Sequence, residues 1–453
     1  MVAVADLTSQ QVKTYLRHRT GLSGSDRAGE WYVRLLRSKW TWAGTAWVVA
    51  CLGSSWILWT YMMASATAED GTEIPGLNPD ALWLSASRAL PTMLFWIVCF
   101  ILVDRYKPQR LLVWVMALGW GGSVAPFASA FINSWADAHM AVYNDMTGVS
   151  SLRTAVFIAP FVEEAMKGSA VFLIAILDRN RFTSRVSGAV VGGLVAAGFA
   201  FSENIVYYAR AIVYGARTSG VGDVMGFLDN MVMLRGVLTC FGHPLFTMMT
   251  GIGIAFAVAA RSKTIRVLAP AAGFMFAAFL HMSFNWWLSV LSNYMWPVLM
   301  VGWVIVGTVA IRLIIAMFRQ GRTIAVRLGD YVSMGWMPAN YPVAFSKLRH
   351  RAWTLMMSPW HGNVIRTWRL QVRATRLAML REAITRGTID HAGLWEEREL
   401  IESIADLASR SGLADGRGLR PYWPWRNWFR RRQEAPKQVL KYSGVNPQWG
   451  PPA

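Results

Sequence analysis

Residues 267–311 read VLAPAAGFMFAAFLHMSFNWWLSVLSNYMWPVLMVGWVIVGTVAI, without one Asp, Glu, Lys or Arg. A helix that crosses a bilayer needs about 20 apolar residues, so this run is too long for one crossing and too apolar for a surface helix. It divides at Ser292-Asn293, where turn formers interrupt the pattern. Outward from it the same criterion gives spans at 41–65, 82–103, 111–135, 154–177, 186–209, 231–260, 267–288 and 294–317. The expected fold is an all-α polytopic membrane helix bundle of about eight transmembrane helices. Composition agrees: 54% of residues are apolar and 16% charged, against about 45–50% and about 25% in soluble domains. Cys51, Cys99 and Cys240 fall inside apolar runs, so neither a disulfide framework nor a cysteine-rich metal site is expected. No apolar segment precedes Trp40, and a cleaved signal peptide is not expected.

The net charge of +19 has a membrane explanation. Residues 1–39 carry seven Lys/Arg and three Asp/Glu, and the loops holding Arg105-Lys107-Arg110, Arg179-Arg181-Arg185 and Arg261-Lys263-Arg266 are each net positive. The alternate loops hold Glu69, Asp70, Glu73 and Asp80, then Asp137, Asp145 and Arg153, then Arg210, Arg217, Asp223 and Asp229. Positive loops mark the cytoplasmic side. A multipass cell-membrane protein with both termini cytoplasmic follows, and nucleic acid is not an expected partner. The chain is expected to divide into a cytoplasmic segment at 1–40, a membrane domain at 41–318 and a basic cytoplasmic region at 319–453, which has 22 Lys/Arg against ten Asp/Glu. Within the last, 364–386 and 393–410 have helical apolar spacing (Trp368, Leu370, Val372; Leu394, Leu400, Ile401, Ile404, Leu407) and suggest a hairpin. Residues 420–432 alternate Trp, Tyr and Phe with Arg, as segments that seat on anionic lipid do.

Ionisable groups inside a span cost about 2.5–3.5 kcal/mol each on insertion and point to function. Here they cluster: Glu163, Glu164 and Lys167 in the fourth span, Glu203-Asn204 in the fifth, His243 in the sixth, His281 and Asn285 in the seventh. At about 1.5 Å rise per residue they lie roughly 10–18 Å from the outer ends of their helices, a common level that argues for one site. Lys167 stands three and four residues after the two glutamates, so it can neutralise one and leave the other for chemistry. His281 and Asn285, four apart, share a face. Pro244 removes the backbone hydrogen bond to the Cys240 carbonyl and loosens span six beside His243. Gly188, Gly192, Gly193 and Gly198 allow close approach of span five to its neighbours. Arg88, Arg235 and Arg312, near span ends, are expected to snorkel to the interface.

Taken in order, Glu-Glu-x-x-Lys at 163–167, Phe-Ala-x-x-Glu-Asn at 199–204, Gly242-His243 and His-x-x-x-Asn at 281–285 resemble the PrsW family of intramembrane proteases, more distantly related to the CAAX-processing and Abi membrane proteases. The resemblance covers about residues 155–290. Lys167 is out of place for the Glu-Glu-x-x-x-Arg of the CAAX branch, and Glu203-Asn204 stands where that branch has a histidine, which argues against prenyl-protein processing. The resemblance implies a membrane-embedded endopeptidase acting on a membrane protein near the outer face of the bilayer, with a membrane-anchored anti-sigma factor as the founding member's site-1 substrate. It implies a reaction centre drawn from Glu163, Glu164, Lys167, Glu203, Asn204, His243, His281 and Asn285.

Two chemistries are open on these residues. In one, His243, His281 and a carboxylate of Glu164 or Glu203 hold a divalent metal, zinc being favoured, while Glu163 or Glu164 acts as general base. In the other there is no metal: a glutamate and a histidine activate water, and His281 with Asn285 stabilises the oxyanion. An ion- or proton-coupled transporter, or a non-catalytic scaffold, would also place Glu, Lys and His in a bilayer.

Overall fold

The computed structural model describes residues 36, 39–67, 73–140, 153–178, 182, 184–217, 224–290, 295–361, 363–387 and 391–410. The described residues are almost wholly helical. The helices are α1 (Lys39–Met63), α2 (Pro79–Val103), α3 (Leu111–Gly122), α4 (Val124–Met140), α5 (Ala159–Leu177), α6 (Arg185–Arg217), α7 (Val224–Met231), α8 (Gly242–Ala259), α9 (Lys263–Val290) and α10 (Met295–Ser333). After them come α11 (Tyr341–Ser346), α12 (Leu348–Met357), α13 (Val364–Thr385) and α14 (His391–Arg410). Two π-helical segments, Thr154–Ile158 and Val232–Leu238, lead into α5 and follow α7. A two-residue antiparallel ladder, Ala66–Thr67 with Glu73–Ile74, lies between α1 and α2. The chain forms two compact units, one of Ala43–Asp104 and Pro108–Ala316, the other including Arg105–Lys107 and residues from Met317 onward.

Seven helical stretches among the described residues are long and apolar enough to cross a membrane, counting α3 with α4 as one and α7 through α8 as one. The eighth expected span, 154–177, is also helical, but Glu163, Glu164 and Lys167 put three charged residues inside it, more than the apolar stretch of any of the other seven carries. The segment set apart by its charge is thus the one richest in candidate site residues. Helix α6 is central: 72% of its most apolar window is buried, against 11–17% for α1, α2, α9 and α10, whose bare Leu, Ile, Val and Trp side chains suit lipid. Glycine makes that centre possible. A Cβ on Gly188 would lie 2.1 Å from the Gly251 carbonyl oxygen, and one on Gly192 2.5 Å from that of Thr247, so α6 and α8 touch backbone to backbone.

Three expectations are corrected. Span six is not continuous, because the chain turns at Thr239–Phe241 between the π segment and α8. Its released carbonyls are met by side chains: Gly236 O by Thr92 Oγ1 at 2.8 Å, Cys240 O by Trp96 Nε1 at 2.9 Å and Leu238 O by Trp303 Nε1 at 3.1 Å. Helix α10 runs to Ser333 instead of ending near 317. A helix of 39 residues is about 58 Å long, well beyond a hydrocarbon core of about 30 Å. Its last turns persist because Ile324, Leu328 and Tyr331, on one face, are fully buried in the second unit. There α13 and α14 pack through Leu370, Ala374, Leu377 and Ala378 against Leu400, Ile401, Ile404 and Leu407. Trp368, expected on that face, is instead 47% exposed. The expected break at Ser292-Asn293, the segment 420–432 and most of residues 1–38 lie outside the described residues. All three cysteines are free.

Candidate active site

Helices α5, α6, α8 and α9 bring their ionisable side chains to one place. Lys167 on α5 is fully buried and is held by three groups: Glu164 Oε1 at 2.7 Å, His243 Nδ1 at 3.1 Å and Glu163 Oε2 at 3.5 Å, with its Nζ 4.0 Å from the centre of the Phe199 ring. Glu164 is also fully buried and both its oxygens are engaged. Oε1 faces Lys167 and His281 Nδ1 (3.1 Å), and Oε2 accepts from Thr247 Oγ1 at 2.8 Å. The close approach at Gly192 puts α6 against α8 at the level of Thr247. Glu163 is less encumbered, with Lys167 at 3.5 Å and His281 Nε2 at 3.9 Å.

A second group adjoins the first. Glu203 Oε2 lies 2.6 Å from His243 Nε2 and 2.7 Å from Arg235 Nη2, and Arg235 Nε donates to Asn204 Oδ1 at 3.1 Å. His243 and His281 rings meet edge to face with centroids 5.1 Å apart, and His281 stacks on Phe246 at 4.8 Å. His243 stands in the first turn of α8, immediately after the chain break, so its direction is set by the helix start that Pro244 favours.

Of the eight expected residues, seven join this network. Asn285 instead donates from Nδ2 to the Ala155 carbonyl in the π segment at 2.9 Å, which commits one amide hydrogen to helix packing. Two members were not expected. Arg235 does not snorkel away: it turns inward onto Glu203 and Asn204, and its side chain is 22% exposed. The signal available was its position eight residues before His243 on the same span, on the glutamate side of the break. Thr247 carries no such signal, since a threonine in a span satisfies itself on its own helix as readily.

Glu163, His243 and His281 each offer a ligand atom within 4.8 Å of the others. One carboxylate with two imidazoles is a donor set of catalytic zinc sites. The carboxylate of this set is Glu163, where Glu164 or Glu203 was expected. The reason is geometric, because those two are turned onto the far nitrogens, Glu164 onto His281 Nδ1 and Glu203 onto His243 Nε2. That is how carboxylates orient metal-binding histidines from behind. Three carboxylates face two basic side chains, Lys167 and Arg235, so the cluster retains room for positive charge. Lys167 Nζ already lies close to two of the three donors. The residues therefore fit a divalent ion, with Lys167 as its competitor.

Comparison with known families assigns residues 107–315 to the PrsW family, described as an intramembrane metalloprotease. No curated protein and no solved structure matches the chain. The matched stretch, a little under half of the chain, holds every residue of the cluster, so the chain is similar to the PrsW family across the whole site, and its apolar helices make it a multipass membrane protein.

Proposed function

We propose that this protein is an intramembrane endopeptidase that hydrolyses a peptide bond of another membrane protein near the outer face of the bilayer, with Glu163, His243 and His281 at the reacting atoms. The observation that carries the proposal is the pairing of each histidine with a carboxylate behind it, which leaves His281 Nε2 3.9 Å from the less encumbered Glu163 and His243 Nδ1 on Lys167, itself 3.5 Å from Glu163. A divalent ion held by these three, zinc suiting the donor set best, would supply an activated water and polarise the scissile carbonyl. The chain's own residues do the rest. Glu164, saturated by Lys167, Thr247 and His281, is a fixed anion that orients His281. Lys167 brings a positive charge where an oxyanion would develop. If no metal takes part, Glu163 is the free base for the attacking water, with His281 beside it.

Both termini are assigned to the cytoplasm on loop charge, and the segment at 420–432 to anionic lipid on its composition. A membrane-anchored anti-sigma factor is the first substrate to try. The test compares fragments of membrane proteins in cells carrying the intact chain with those in cells carrying Glu163→Gln. We expect fragments that appear only with the intact chain; identical patterns would overturn the proposal. A transporter using the same charges predicts no fragments and an ion flux across proteoliposomes.

A further inference from the structure

We propose that Arg235 is a positioning residue that fixes the direction and the tautomer of His243 through Glu203; its consequence for cleavage rests on the reading of the site as a protease centre. The argument begins with cost. An arginine within a span is tolerated when it faces the bundle interior and is paired, and Arg235 is held at three points by one stretch of α6: Glu203 at 2.7 Å, Asn204 at 3.1 Å and the Tyr207 ring 3.9 Å from its guanidinium carbon. It is presented by the π segment Val232–Leu238, and such widened turns recur at functional sites.

Arg235 Nη2 and His243 Nε2 share one oxygen, Oε2 of Glu203. They approach it from opposite sides of the break at Thr239–Phe241, so Glu203 bridges the two halves of span six. The tautomer then follows from donor and acceptor types. A carboxylate accepts, so the nitrogen facing it, Nε2, carries the hydrogen. An ammonium can only donate, so the nitrogen facing Lys167, Nδ1 at 3.1 Å, holds the lone pair. Arg235 keeps Glu203 in the one rotamer that enforces this. Without it the carboxylate is free to turn, and the His243 lone pair loses its direction toward Lys167.

The test uses the full chain in lipid nanodiscs, stripped of metal and labelled with 15N-histidine, with His243 assigned by its loss in His243→Asn. In the intact chain the His243 ring shows a protonated Nε2 and an unprotonated Nδ1. Arg235→Gln is expected to give mixed tautomers, and Arg235→Lys, which keeps a cation, to retain the native pattern in part and to serve if the glutamine variant does not fold. In cleavage, Arg235→Gln is expected to lower kcat at least tenfold with KM within twofold, and adding Glu203→Gln to it to cost nothing further, as for residues acting as a unit. Native His243 signals in Arg235→Gln, or losses that multiply in the double variant, would overturn the proposal. The spectra do not depend on hydrolysis, so a failure of the protease reading leaves this arm decisive.

Discussion

Arg351 and Lys167 are both buried cations, and their surroundings differ in kind. In the second unit, Arg351 gives its hydrogen bonds to neutral acceptors, Thr375 Oγ1 at 2.7 Å, Phe345 O at 3.3 Å and Arg105 O at 3.4 Å. Burial pushes its guanidinium down to about 10. In the membrane unit, Lys167 faces two carboxylates and an imidazole. A cation on carbonyls pins the backbone and has nothing further to exchange. A cation among groups that themselves accept or release protons or metals belongs to a set with chemistry left over. The contrast is why the proposed reaction is placed at the membrane cluster and Arg351 is given a structural role.

The contrast is broken most directly at the two adjacent glutamates. Glu163→Gln is expected to abolish cleavage, a loss of at least about 10³-fold, while the thermal unfolding midpoint in detergent stays near that of the intact protein, because its nearest charged partner is 3.5 Å away. Glu164→Gln is expected to lose both. It removes the 2.7 Å partner of a fully buried lysine, and breaking such a pair costs about 3–5 kcal/mol. Cleavage of a membrane-anchored reporter and thermal unfolding, measured on both variants, separate reactive from structural carboxylate; equal behaviour of the two would erase the distinction drawn here.

Lys167 sharpens the comparison next. Lys167→Met removes a positive charge beside two of the three donors of the candidate metal set. Zinc affinity of the stripped protein, read by calorimetry, is expected to rise about tenfold, the equivalent of about 1.4 kcal/mol. A fall in affinity would mean that the lysine organises the donors instead of competing for them. By contrast, Arg351→Met is expected to leave cleavage unchanged and to cost about 1–3 kcal/mol, the price of unsatisfied buried acceptors, seen as easier unfolding of the second unit in limited proteolysis.

The spans were legible because a bilayer permits little else than apolar helices, and the site because its charges violate that rule. Convergence of Glu163, Glu164, Lys167, Glu203, His243 and His281 was readable from their common depth. The different surroundings of Glu163 and Glu164 were not. The two are identical neighbours in sequence, and only the rotation of α5 against Thr247 and His281 tells them apart. Arg235 was misplaced because distance from a span end is a poor guide when the span is broken. Trp368 was misplaced because one tryptophan at helical spacing resembles core whether it faces in or out; α13 buries Leu370, Ala374 and Leu377 and leaves it outside.

The smallest effect concerns the break itself, where backbone groups rather than charges need partners. Pro244 has no N–H to offer the Cys240 carbonyl, and Trp96 on α2 supplies one from its indole at 2.9 Å. Trp96→Phe keeps an aromatic ring but leaves that carbonyl unmet, at a cost of about 1–2 kcal/mol. Pro244→Ala restores a donor four residues along, where the first turn of α8 would direct it to Cys240, so on its own it is expected to be close to neutral. Combined, the two changes should recover part of the Trp96→Phe loss, read as the thermal midpoint of the purified protein. Because His243 lies between Cys240 and Pro244 in sequence, in the first turn of α8, cleavage by the double variant should still fall a few-fold even as stability returns. Additive destabilisation in the double variant would show that Trp96 acts through packing alone, and that the turn at Thr239–Phe241 owes nothing to the hydrogen bond it receives.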